Sequence, residues 1–118
     1  MGYPTWRRVH LTASWALALV ALAHSALTAL LYPSWTPDAV WFLGTGLGLL
    51  LLAATNLSHI GIEPCAQPTA RLVRPANWGF LLFGLGAVVA VPEPQAILVV
   101  LALLGQAVAS HWTLPGTA

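Results

Sequence analysis

Histidine is the residue type through which this chain could do chemistry inside its apolar segments. The stretch "LALVALAHSALTALL", residues 17 to 31, places His24 among aliphatic and small side chains. A ring with one donor and one acceptor nitrogen needs a partner in hydrocarbon. Two uses would justify it: an axial ligand to a haem iron, a metal or a pigment, or a proton-handling group. The plainer use is a neutral imidazole hydrogen-bonded to a backbone carbonyl or to the hydroxyl of Thr45 or Thr28. His10 and His59 form a second candidate pair, because two histidines from different helices can clamp a haem iron or begin a zinc site. Glu63 and Cys65 lie just beyond His59, although the spacing matches no established metal motif. Interfacial polarity at span ends accounts for the same pair. His111 shares their level but lies about 140° from Gln106, the main polar group of its own segment, so it reads as structural.

The elements that must position these residues follow from composition. Of 118 residues, 58% are hydrophobic and only 6% charged. A soluble domain carries about 25% charged residues, so seven formal charges cannot cover a water-facing surface. The chain is a single integral membrane domain, residues 1–118, in contact with the lipid bilayer. It has no lysine and a net charge of +1, which leaves no basic stripe for nucleic acid. The lone Cys65 excludes an internal disulfide.

Proline and charge divide the apolar sequence into four runs, at about 9–31, 39–60, 75–91 and 94–112. Each is long enough for a helix to cross the hydrocarbon, the last two as short spans. Pro37, Pro75 and Pro94 each suit a first helical turn, where a missing N–H is harmless. Gly61 suits a C-cap. The first run continues to Leu31, past the Ala21–Ala23 stretch at which a signal peptide would be cut, and a retained span is expected. Short connections make spans one and two, and spans three and four, antiparallel neighbours. The expected architecture is all-α: a transmembrane four-helix up-down-up-down bundle. All four arginines, Arg7, Arg8, Arg71 and Arg74, fall before span one or between spans two and three. The positive-inside rule then puts both termini in the cytoplasm. Trp6, Trp35, Trp41, Trp78 and Trp112 fall near span ends, as an aromatic belt requires. The glycines of "GTGLG" and "GLG" read as packing patches.

At 100° per residue, His10, Ser14, His24, Ser25 and Thr28 share a sector of about 120° on span one. On span two Asp38, Thr45, Asn56 and His59 share about 80°. An interior polar face is expected from Ser25, Thr28, Thr45 and Asn56 with the histidines, turned to the bundle centre or to an oligomer interface. Asn56 lies one turn from His59, and such amides bond across helices. Asn77 can join it from the same level.

The segment "WFLGTGLGLLLLAATNL", with a histidine in the preceding span, resembles a group of small four-span bacterial membrane proteins without assigned function. The resemblance covers spans one and two and implies a bacterial inner membrane; it carries no catalytic residue to transfer. The segment "AHSALTALLYPSW" is more faintly similar to the single-span light-harvesting polypeptides, whose histidine binds a bacteriochlorophyll magnesium. Here the small residue before His24 is Ala21 at −3, with Val20 at −4, and three further spans follow.

Three functions fit. The first is a non-catalytic accessory or scaffold subunit, docked with other membrane subunits or self-associated. The second is a haem-, metal- or pigment-binding protein using His24, or His10 with His59. The third is a small oligomeric transporter, against which no acidic residue lies within a span. An enzyme is the weakest class: the sequence holds no activated nucleophile arrangement, carboxylate pair or phosphate loop.

Overall fold

Three of the four helices begin where the sequence supplies a proline. In the computed structural model, which describes residues 2–60 and 70–114, α1 spans Tyr3–Leu31, α2 Pro37–His59, α3 Ala70–Ala90 and α4 Pro94–Thr113. Prolines open α1, α2 and α4 in the first turn. Thr36 caps α2 by accepting from the Ala39 N–H at 3.2 Å, with Asp38 following in the first turn. Pro33 follows the α1 C-cap, Tyr32, and stops that helix. Val91, Pro92 and Glu93 turn the chain between α3 and α4, with the Glu93 N–H donating to Val91 O at 2.8 Å.

Two helices outrun their apolar segments. The first starts at Tyr3 and not near residue 9, and the third is helical from Ala70 and not from Pro75. Hydropathy marks the hydrocarbon-embedded part, whereas the backbone ladder continues through Arg7, Arg8, Arg71 and Arg74 into the interface. With 29 residues α1 is about 44 Å long, well beyond an apolar core of about 30 Å. Pro75 therefore lies inside α3, where it removes only the bond to Arg71 O, close to the helix start. Gly61, Glu63 and Cys65 lie outside the described residues.

All four helices are long and apolar enough to cross a membrane, and they pack as an all-α, up-down-up-down four-helix bundle. The first helix packs along both α2 and α4, and α4 along α3. The ring is nearly open between α2 and α3, which touch sparingly. The core joins Leu17, Ala21, Leu52, Ala53, Leu103 and Ala107. Lipid tails are as apolar as these side chains, so close packing rather than water exclusion holds the helices together. Gly84 lets α3 approach Leu103 and Val100 of α4, and Gly105 lets α4 approach Ala13 of α1. Gly44 and Gly86, from the same glycine patches, would meet nothing if they carried a Cβ.

Candidate functional site

The interior polar groups separate into two ends of the bundle. At the end that carries the start of α1, all four helices contribute to one buried cluster. His10 and Ser14 come from α1, Asn56 from α2, Asn77 from α3, and Gln106, Ser110 and Thr113 from α4. All are fully buried except Thr113, which is 6% exposed. On α4 these residues recur at i, i+4 and i+7, which is one helical face.

The hydrogen bonds determine which atoms donate. Asn56 Nδ2 donates to Leu52 O at 2.9 Å and to Asn77 Oδ1 at 2.7 Å, and Asn77 Nδ2 returns a bond to Asn56 Oδ1 at 2.8 Å. Reversing the Asn56 amide would set its oxygen against the Leu52 carbonyl. Its Oδ1 is therefore held toward His10, whose Nε2 lies 2.7 Å away and must carry the proton. The other nitrogen, Nδ1, lies 2.5 Å from Thr113 Oγ1. That hydroxyl also reaches the carbonyl of Ala109, one turn back, at 2.9 Å. Beside this chain Gln106 Nε2 donates to Ser14 Oγ at 2.8 Å, while Gln106 Oε1 has no partner among the described residues.

Basic and aromatic groups close the same end. Arg74 donates to Ser110 O at 3.2 Å and Leu114 O at 3.3 Å, so its guanidinium caps the last turn of α4. Trp6 stacks on Trp112, with ring centroids 4.3 Å apart, and Trp78 Nε1 donates to His111 Nε2 at 3.1 Å. His59 is buried on α2, with Nδ1 donating to Thr55 O at 2.7 Å.

His24 belongs to the opposite end. Its Nε2 donates to Phe42 O at 3.1 Å, and its ring stacks on that of Phe42 at 3.7 Å. Gly46 makes this approach possible. A Cβ there would overlap Ser25 Oγ and lie 3.2 Å from His24 Cδ2. Thr28 is buried, Ser25 and Thr45 are half-buried, and the Thr45 hydroxyl turns back to Trp41 O. A cleft of about 320 Å³ opens nearby between Ser25, Thr28, Tyr32 and Trp35.

This arrangement limits the chemistry available. A metal or haem at His10 would have to displace either Asn56 or Thr113 from a ring nitrogen. Among the described residues no three His, Cys, Asp or Glu side chains gather into a ligand set. The order Thr113–His10–Asn56 is that of a nucleophile, base and orienting amide. Yet the hydroxyl is buried, and none of the three lines the cleft beside Ser25 or the cleft along α2 and α3. The second cleft, about 310 Å³, lies along the sparse α2–α3 side and is lined by Leu51, Leu52, Thr55, Leu72, Val73 and Phe80.

Sequence reasoning placed His10, Asn56 and Asn77 at one level but did not see Ser110, Thr113 or Arg74 in the same cluster. The i, i+4, i+7 spacing of Gln106, Ser110 and Thr113 was the available signal. No protein-family model, curated protein or solved structure matches the chain.

Proposed function

We propose that this small integral membrane protein is a non-catalytic accessory or scaffold subunit. It works by packing its α2–α3 side against another membrane helix, from a partner subunit or a second copy. The observation that carries this reading is the contrast between a closed interior and an open side. His10, Asn56 and Asn77 satisfy one another inside the bundle, whereas α2 and α3 leave an apolar groove between them. In a bilayer such a groove offers van der Waals contact to a helix, the main attraction available between spans. Leu51 and Leu72 flank it and are each 69% exposed.

The distribution of arginine supports a bacterial inner-membrane orientation with both termini cytoplasmic. The buried polar cluster then sits at the cytoplasmic end and His24 at the periplasmic end.

Native mass spectrometry of the full chain, released from its own membranes in lipid particles, tests the reading. A defined homo-oligomer or a stoichiometric complex with another membrane protein is expected. A lipid-bound monomer throughout, at native expression, would overturn it.

A further inference from the structure

We infer that His10 and Thr113 form a buried proton-binding site, loaded from water at the end of the bundle where α1 begins. This is independent of the accessory reading and uses the one titratable side chain at the centre of the four-helix cluster.

The argument rests on counting protons. Asn56 requires a proton on His10 Nε2, so only Nδ1 can change its state. Its neighbour, the Thr113 hydroxyl, has one proton and two acceptors in reach, Nδ1 at 2.5 Å and Ala109 O at 2.9 Å. In the neutral form the hydroxyl donates to Nδ1, and Ala109 O keeps the backbone bond of its helix. In the charged form Nδ1–H donates to Thr113 Oγ1, and the hydroxyl proton turns to Ala109 O. Both forms are fully hydrogen-bonded, and they differ by one hydroxyl rotation.

Loading is balanced. A hydronium proton bonds to Thr113 Oγ1 as the hydroxyl's own proton passes to Nδ1, leaving water and an imidazolium. Two O–H bonds break, the hydronium's and the hydroxyl's original one, while one O–H bond and one N–H bond form, and the site gains one positive charge. Thr113 is buried at 6% exposure, but as the last residue of α4 it is the cluster member nearest the bundle end, and a proton, unlike a substrate, needs no open cleft to reach it.

Helix ends supply the partial charges nearest the ring. Asn56 lies in the last turn of α2, so the carbonyl-rich end of that helix meets the ring, while the end of α4 at Thr113 is already capped by Arg74. Among the described residues, the other charged or titratable groups within a turn of the cluster are already directed elsewhere. On α1 Arg7 and Arg8 are exposed; on α2 His59 bonds Thr55 O; on α3 Arg74 binds Ser110 O and Leu114 O; on α4 His111 accepts from Trp78. The two carboxylates among the described residues, Asp38 and Glu93, stand at the far end, at the starts of α2 and α4.

The test is an acid titration of the full chain in lipid nanodiscs, with ¹⁵N-labelled histidine observed by NMR. The His10 resonances are assigned by their loss in His10→Gln. The expected result is a neutral Nε2–H tautomer that gains Nδ1–H reversibly while the backbone spectrum stays folded. Thr113→Val should lose the Nδ1–H signal over the range in which the unmodified chain forms it, and Thr113→Ser should restore it. Two results would overturn the inference: a His10 that stays neutral until the bundle unfolds, or a folded Thr113→Val that protonates as the unmodified chain does. If Thr113→Val does not fold, the unmodified chain and Thr113→Ser still decide it, because both must form Nδ1–H while folded.

Discussion

Asn56 holds its side-chain oxygen 2.7 Å from His10 Nε2 because the Leu52 carbonyl takes one of its amide protons. A backbone acceptor on α2 thereby sets the tautomer of a ring on α1. The reciprocal amide pair with Asn77 extends the constraint to α3, and Thr113 brings in α4.

Asn56 should be the costliest polar residue of the bundle to remove. Asn56→Leu leaves His10 Nε2–H and the Asn77 amide unpaired, at about 2 kcal/mol. Asn77→Leu should cost about half as much, since Asn56 keeps Leu52 and His10 as partners. Unfolding of each variant in mixed micelles measures the difference, and equal losses would count against the network drawn above.

Gln106 should behave in the opposite way despite equal burial. Its Oε1 is already unpartnered, and Ser14 can turn its hydroxyl to its own helix when the amide is gone. Gln106→Leu should leave stability within about 0.5 kcal/mol of the unmodified chain, or raise it. The same micelle unfolding experiment reads this out.

Gly46 and Gly44 separate packing from helix propensity. An alanine at 46 overlaps Ser25 and crowds His24, which should cost about 1–3 kcal/mol. An alanine at 44 meets nothing and should stabilise by up to about 1 kcal/mol. His24→Gln, which retains a donor for Phe42 O, should fold normally, whereas His24→Leu should weaken the bundle modestly. Thermal unfolding in lipid particles ranks all four.

Reporter fusions test the orientation. A periplasm-active phosphatase fused after Ala118 should be silent, and one inserted in the 32–36 turn should be active. Strong activity at the C-terminus would contradict cytoplasmic termini.

The four helices were legible because proline, charge and apolar runs are local signals, each read over a few residues. The true starts of α1 and α3 were not, since Arg7 and Arg74 mark the edge of hydrocarbon and not the end of the backbone ladder. The level shared by His10, Asn56 and Asn77 followed from topology and rise per residue. Thr113 escaped because a hydroxyl at a helix end has its own i−4 carbonyl, so nothing local demands an imidazole on another helix. Arg74 read as an orientation signal, and its capping of α4 depends on how closely α3 and α4 approach. The reach of His24 to Phe42 O likewise depends on Gly46, whose role appears only when α1 is laid against α2.

Site-specific crosslinking in native membranes tests the central claim most directly. With Cys65 replaced by serine, single cysteines are placed at Leu51 or Leu72, on the α2–α3 groove, and at Leu19 or Leu101, which are equally lipid-facing on α1 and α4. The account predicts that the groove positions form one discrete adduct, with a second copy or another membrane protein, and that the α1 and α4 positions do not. Equal crosslinking from all four positions, or none from Leu51 and Leu72, would contradict it.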